Sequence, residues 1–403
     1  MSSRTVMPVM AGIVLTISLV SIRYGSIMCL MLFLASGFFL IREKPKLPNI
    51  WAYIPFLIYI ALNLVFFFLS DDQALAIKRL EKQLVLLFMP SVIFLFVRSG
   101  EDIQKSLLAF IGSLFVLSVI SLIILMEFYF TNLEFVGSMD ENYLQWKYPH
   151  LLGIHPTYWS YYLVVASTLL LWLPFSRLQN YARVGLLLIF NLNLFYLANR
   201  ASIAINIVLI GIWLVFYLRQ KSGRSLLKRT AAILGVISLV IVLFLQSSYF
   251  RKKIIDLINA KDERFFLWDR SLDIIAQNDF IYGEGIGGGQ QRLREIMMEE
   301  YGQNDPREEY KEFDVHNQYI HDYLDYGIFG LFSILLIVFY PARYMKRIDK
   351  QTLVLASIML LFFSSQLVES VFIRFQGKVL YATLYPLLIV SIKMAEDLSK
   401  NDH

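Results

Sequence analysis

An all-α polytopic membrane protein is the fold class this sequence predicts, with about twelve transmembrane helices and one long outer loop containing short helices. Two observations carry that expectation. Of 403 residues, 57% are hydrophobic and only 17% charged, whereas soluble domains run near about 45–50% and roughly 25%. Mean hydropathy is +0.57, and the apolar residues come in long runs, unlike the short alternating segments of a transmembrane barrel. The same composition excludes a disordered chain, which needs low hydrophobicity and high charge.

A helix crossing the hydrocarbon core needs roughly 20 mostly apolar residues. Twelve runs approach that: 6–22, 24–41, 50–69, 84–98, 106–127, 157–175, 184–198, 201–218, 230–247, 324–342, 352–369 and 379–395. The first lacks a small-residue cleavage site and is followed at once by another, so it reads as a span and not as a signal peptide. From Val184 to Leu218 the only charge is Arg200. As one helix those residues would extend about 53 Å, far more than one bilayer core, so two helices with a tight turn at Asn199-Arg200 are expected.

Lys and Arg set the orientation, since they accumulate in short cytoplasmic loops. With both termini cytoplasmic, the inner segments hold 19 of the 37 basic residues and the short outer ones 8. The net charge of +5 is thereby explained by basic loops, and nucleic acid is not an expected partner. The division follows: 1–247 with transmembrane helices 1–9, 248–317 as an outer loop region, and 318–403 with helices 10–12, all in one integrated membrane domain. In the outer loop, Arg264 to Asn278 has helical periodicity, with Phe265, Trp268, Leu272 and Ile275 on one stripe. Gln290 to Tyr301 reads as a second short helix. Outside the two long outer segments, around 128–156 and 246–322, the connections read as tight.

The residues able to carry chemistry are few. Cys29 is the single cysteine, so no disulfide or cysteine-based zinc site is expected. No H-E-x-x-H exists, and His316 and His321 are spaced to point apart on a helix, so no metal is expected. His316 stands where the long outer loop enters the tenth span. On a helix it would share a face with Tyr319, Tyr323, Gly327 and Gly330, and glycines there would let another helix approach closely. The positive helix end would keep the imidazole neutral, as a general base requires. An interfacial histidine capping a helix start is the plainer reading. Arg200, alone between two apolar spans, faces either a cavity and an anion or snorkels to the headgroups. Arg264 and Trp268 are i, i+4 neighbours, a spacing that also suits a simple cation–π pair. His155-Pro-Thr-Tyr158 opens the sixth span, lining the same outer cavity or merely sitting at the interface. Gly283 to Gly288 matches G-x-G-x-x-G without a βαβ unit, so it reads as a packing turn and not as a dinucleotide site.

The run from His316 resembles the signature of the O-antigen ligase and polymerase superfamily: a histidine, then Asn, Ser or Gln, nine residues, and G-x-x-G. Here these are His316, Asn317, nine residues to Tyr326, Gly327 and Gly330. Asn199-Arg200 resembles the family's Ser-Arg pair, Arg264 and Trp268 its R-x-x-x-W, and Asp279 to Gly287 its glycine-rich segment, with Asp279 where proline is usual. His-Pro-Thr-Tyr at 155–158 is similar to a variant in some members. The resemblance implies a metal- and cofactor-independent glycosyltransferase of the bacterial inner membrane with a periplasmic active site. It would move a glycan from an undecaprenyl-diphosphate carrier to a sugar hydroxyl, on lipid A–core for a ligase or on another carrier-linked repeat for a polymerase. His316 would take the proton, Arg200 and Arg264 would stabilise the diphosphate, and Asn317, His155, Tyr158, Trp268, Gly327 and Gly330 would support. The ligase is the first expectation and the polymerase the alternative. A lipid or polysaccharide transporter, the second alternative, would show repeat-related helix pairs, which this sequence lacks.

Overall fold

The computed structural model describes residues 3–43, 50–132, 143–173, 180–219, 248–259, 263–277, 281–301 and 314–401. Among them are sixteen α-helices and two short 3₁₀ turns, and no strand. The helices are α1 Ser3–Val20, α2 Ile22–Glu43, α3 Ile54–Phe67, α4 Gln73–Gln83, α5 Val85–Phe96, α6 Gly100–Thr131, α7 Tyr143–Leu151 and α8 Pro156–Trp172. The others are α9 Asn180–Leu197, α10 Arg200–Arg219, α11 Ser248–Ile258, α12 Glu263–Gln277, α13 Gly288–Tyr301, α14 Gln318–Phe339, α15 Lys350–Gln366 and α16 Phe375–Asn401.

Five of these segments are long and apolar enough to cross a bilayer by themselves: Ile22–Arg42, Gly100–Thr131, Arg200–Tyr217, Gln318–Tyr344 and Phe375–Asp397. Shorter apolar helices include Val6–Val20 and Ile54–Phe67. Large apolar side chains stand bare on α2, where Phe38 is 60% and Ile41 79% exposed. A water-soluble surface avoids such faces, and lipid accepts them. The chain is a helical membrane protein. The expected run 230–247 lies outside the described residues.

Two compact units make up the chain, one from Met1–Ser106 with Asp262–His403, the other from Leu107–Lys261. In the first, α16 packs along α5 and α1, and α14 packs along α3. α16 is mostly apolar, Lys378 being its one charge there, and is buried on nearly every face over Phe375–Val390, as a helix with little polar surface requires. In the second unit α8 has the same character, buried from Thr157 to Leu170 and flanked by α9 and α10. Ser121 on α6, Tyr148 on α7 and Asn193 on α9 form a buried polar knot, with Ser121 Oγ 2.7 Å from the Tyr148 hydroxyl and 3.1 Å from Asn193 Oδ1. The chain turns between α9 and α10 at Ala198 and Asn199. Asn206 Nδ2 then donates to Asn191 Oδ1 at 2.9 Å across the two helices, positions symmetrical about that turn.

One connection is not the tight link expected. Residues 73–83 form α4, whose N-cap Asp72 accepts from Leu75 N at 2.9 Å. Its polar composition hides it from a search for spans. The long segment expected before α8 contains α7. On α12 the stripe is also shifted. Leu267, Ser271 and Ile274 are fully buried, whereas Leu272 is 54% exposed, so the face sits one position from the expected set. α12 and α13 share a core with the start of α14 made by Leu267, Ile274, Leu293, Met297, Val315 and Leu324.

The glycine-rich turn crosses α14. Glu284 N donates to the Leu324 carbonyl at 2.8 Å and Gly285 N to the Asp325 carbonyl at 3.0 Å. α14 is broken at this point: Gly327 has φ +61° and ψ −149°. A Cβ on Gly327 would overlap the Ile281 carbonyl, and one on Gly330 the Asp322 carbonyl. The glycines thus admit a loop and a kink, not a second helix as expected. Gly327→Ala should therefore destabilise the chain by about 1–3 kcal/mol, read as a lower thermal midpoint in detergent. An unchanged midpoint would show that the crossing is dispensable.

Candidate active site

α14 starts at Gln318 because Asn317 caps it. Asn317 Oδ1 accepts from Tyr319 N at 3.0 Å and Ile320 N at 3.2 Å, while its Nδ2 donates to the Leu367 carbonyl at 3.1 Å. Both ends of the amide are thus taken up inside the first unit. His316 precedes the cap and has φ +51°, a left-handed conformation that non-glycine residues seldom adopt. Its backbone N–H donates to Asp314 Oδ1 at 2.7 Å. The expected common face of His316, Tyr319, Tyr323, Gly327 and Gly330 is corrected at both ends. His316 lies outside the helix, and Gly327 interrupts it.

The imidazole is held by acids. His316 Nδ1 is 3.2 Å from Glu369 Oε1 and 3.6 Å from Asp314 Oδ1. Ser370 Oγ donates to the same Asp314 oxygen at 3.2 Å. Burial alone would lower the His316 pKa. The Glu369 hydrogen bond and charge, with Asp314 behind them, outweigh it, Arg264 opposes them, and the pKa ends above the ordinary histidine value. The expected neutral imidazole at a helix end is therefore corrected as well. Removed from the helix and flanked by carboxylates, the ring favours its charged form.

Arg264 and Trp268 occupy successive turns of α12, and their spacing acquires a physical reason. Trp268 Nε1 donates to the Val315 carbonyl at 2.9 Å, which fastens α12 beside His316. Arg264, one turn earlier, is near enough for its charge to act on the His316 ring. The first unit therefore brings together His316, Arg264, Trp268 and Asn317.

The second unit gathers the others. His155 precedes α8, its ring 5.2 Å from that of Tyr158 in an edge-on contact. Tyr158 is buried. Asn199 Nδ2 donates to Thr157 Oγ1 at 3.1 Å, and Asn199 Oδ1 accepts from Ser202 N at 2.9 Å. Arg200, the half-buried first residue of α10, is thereby fixed beside the start of α8.

Sequence reasoning missed Glu369 and Asp314. Glu369 did leave a signal, as the sole carboxylate between Asp349 and Glu396, isolated among apolar residues much as Arg200 is. Asp314, His316 and Glu369 each offer one ligand atom, all within 4.8 Å of one another. Two carboxylates and an imidazole form a donor set that suits a hard or borderline divalent cation. The arrangement can therefore either trade a proton at the imidazole or hold a metal.

Residues 184–335 match the family model described as O-antigen ligase, a span that includes Arg200, Arg264 and His316. No curated protein matches the chain.

Glu369→Gln removes the charge that raises the His316 pKa, so the imidazole should titrate at lower pH, as measured by NMR on labelled histidine. Trp268→Phe should leave the fold intact but free Val315, seen as faster amide exchange at residues 315–317.

Proposed function

Since the chain belongs to the O-antigen ligase superfamily, we propose that it transfers a glycan from an undecaprenyl-diphosphate carrier to a sugar hydroxyl at the periplasmic face of the bacterial inner membrane. The observation that carries this reading is the His316–Glu369 pair at 3.2 Å, with Arg264 acting on the same ring. Glu369 orients the imidazole through Nδ1, so Nε2 takes the proton of the acceptor hydroxyl. The oxygen attacks the anomeric carbon, the bond to the diphosphate breaks, and the configuration inverts. The leaving diphosphate gains negative charge, which the Arg264 guanidinium stabilises by paired hydrogen bonds. Arg200 is assigned the same kind of contact by the family resemblance. Lipid A–core is the proposed acceptor; a carrier-linked repeat unit, the polymerase reaction, is the alternative. The proposed topology has twelve crossings and both termini in the cytoplasm.

A second mechanism is favoured by one observation, the clustering of Asp314, His316 and Glu369. If these residues hold a divalent cation, EDTA abolishes transfer and added metal restores it. The base mechanism expects no inhibition.

Purified protein supplied with a defined carrier-linked glycan, and with each acceptor in turn, tests the reading. His316→Ala should reduce transfer by about 10²–10⁴-fold while the protein still accumulates in the membrane. Arg264→Ala should cost roughly 10²–10³-fold, with little rescue by Arg264→Lys because the planar fork is lost. Wild-type rates in these variants would sink the assignment. The raised His316 pKa fixes the sign of the pH profile. The base is protonated at low pH, so kcat/KM should rise with pH through an acidic limb above about 6.5, and Glu369→Gln should move that limb down.

A further inference from the structure

α4 and the head of α16 carry an excess of positive charge that the transfer chemistry does not use. Lys78, Arg79 and Lys82 lie on α4, and Arg374 and Lys378 lie one helical turn apart at the start of α16. Of these, only Arg79 forms an ion pair among the described residues, with its Nη1 2.7 Å from Asp325 Oδ2. Its Nη2 donates to Gln290 Oε1 at 3.0 Å. Among the described residues the other four have no ion pair. Glu81, the acid of α4, is solvent-exposed and forms no ion pair with them among those residues. Lys378 is the sharpest member. It is 1% exposed, and among the described residues its ammonium has no hydrogen-bond partner. The charges of Lys82 and Arg79 act on it, opposed by Asp322, and a buried cation so outnumbered by like charge is disfavoured.

The five groups act on one another. The Lys82 pKa is lowered by burial first, then by the charges of Arg374, Arg79 and Lys78. The turn joining α15 to α16 runs from Glu369, at the His316 ring, to Arg374. Phe372 N in that turn donates to Gln318 Oε1 at 2.6 Å, and Gln318 Nε2 donates to Asp322 Oδ1 at 2.8 Å. The cationic cluster and the imidazole are thus tied to the same turn.

We propose that Lys78, Arg79, Lys82, Arg374 and Lys378 form a binding site for phosphate groups of a lipid-linked substrate, additional to the contact assigned to Arg264. Lysines suit a phosphate as compact point charges, and Arg374 adds a planar fork. A phosphate entering here would add negative charge beside Lys378, where the like charges of Lys82 and Arg79 face Asp322 alone. The site rests on the proposed transfer, in which donor and acceptor are both lipid-borne. A phosphomonoester on the acceptor glycolipid and the diphosphate of the carrier offer the same chemistry.

The test measures binding without turnover. The full chain in phosphatidylcholine nanodiscs is titrated with lipid A, dephosphorylated lipid A, undecaprenyl diphosphate and phosphatidylglycerol. Wild type is compared with Lys78→Gln/Arg374→Gln, two exposed positions whose loss leaves the core intact, and with Lys82→Gln. Lipid A or undecaprenyl diphosphate should bind about tenfold or more weakly to the variants, with dephosphorylated lipid A unaffected. Loss for lipid A assigns the acceptor phosphate, and loss for undecaprenyl diphosphate assigns the carrier; both uphold the site. Equal weakening of phosphatidylglycerol would assign the charge to bulk lipid, and unchanged binding of every probe would remove the site; either overturns the proposal. A chain that binds through the cluster but transfers nothing refutes the transferase and keeps the site. An active enzyme with unaltered binding refutes the site alone.

Discussion

Backbone meets backbone where residues 281–287 cross α14. An unbroken helix would give the carbonyls of Leu324 and Asp325 to its own next turn. The break at Gly327 turns them over to Glu284 and Gly285 instead. Buried peptide groups must find partners, so kink and crossing loop depend on one another. Ile286 N also donates to Ser70 Oγ at 2.8 Å, which fastens the same loop to the end of α3. From this crossing α12 and α13 take their place over the start of α14, and through Trp268 and Val315 they constrain His316.

The acids beneath the crossing are bonded by several elements at once, with Asp325 Oδ1 left without a hydrogen-bond partner among the described residues. Asp325 receives Arg79 from α4 and, at 3.0 Å, the backbone N–H of Gly287. Asp322 receives Gln318 at 2.8 Å and the Tyr59 hydroxyl at 3.3 Å. Carboxylates in a low-dielectric setting persist only with such support. Helices far apart in sequence are locked by these few polar contacts, in surroundings where apolar packing alone is less directional.

Much of the architecture was legible in the residues. Long apolar runs mark helices, and the lone charge at Arg200 marks a turn, because lipid penalises both open backbone and unpaired charge. What escaped were elements whose cause lies elsewhere in the chain. α4 is polar enough to pass for a loop, and its burial at Ala76 and Gln83 depends on neighbours. The stripe on α12 was misplaced because Leu272 is apolar yet exposed, while Ser271 is polar yet buried with its hydroxyl bonded to the Leu267 carbonyl at 2.7 Å. Periodicity within the His316 run predicted one continuous face. The capping amide of Asn317 and the positive φ of Gly327 decide otherwise, and both answer to contacts from distant segments. The Glu369 partner could not be found from spacing, since it lies 53 residues from the histidine it holds.

The amide clasp between Asn191 and Asn206 bears on how this part of the protein enters the bilayer. Each side chain, carried into hydrocarbon on a solitary helix, would bring unsatisfied donors and acceptors with it. Zipped together, α9 and α10 hide one another's polar atoms, and Asn191 Nδ2 also returns to the Leu187 carbonyl at 2.8 Å. Partition from the translocon is therefore easier for the completed hairpin than for either arm, which makes the Ala198–Asn199 bend an early event in biogenesis.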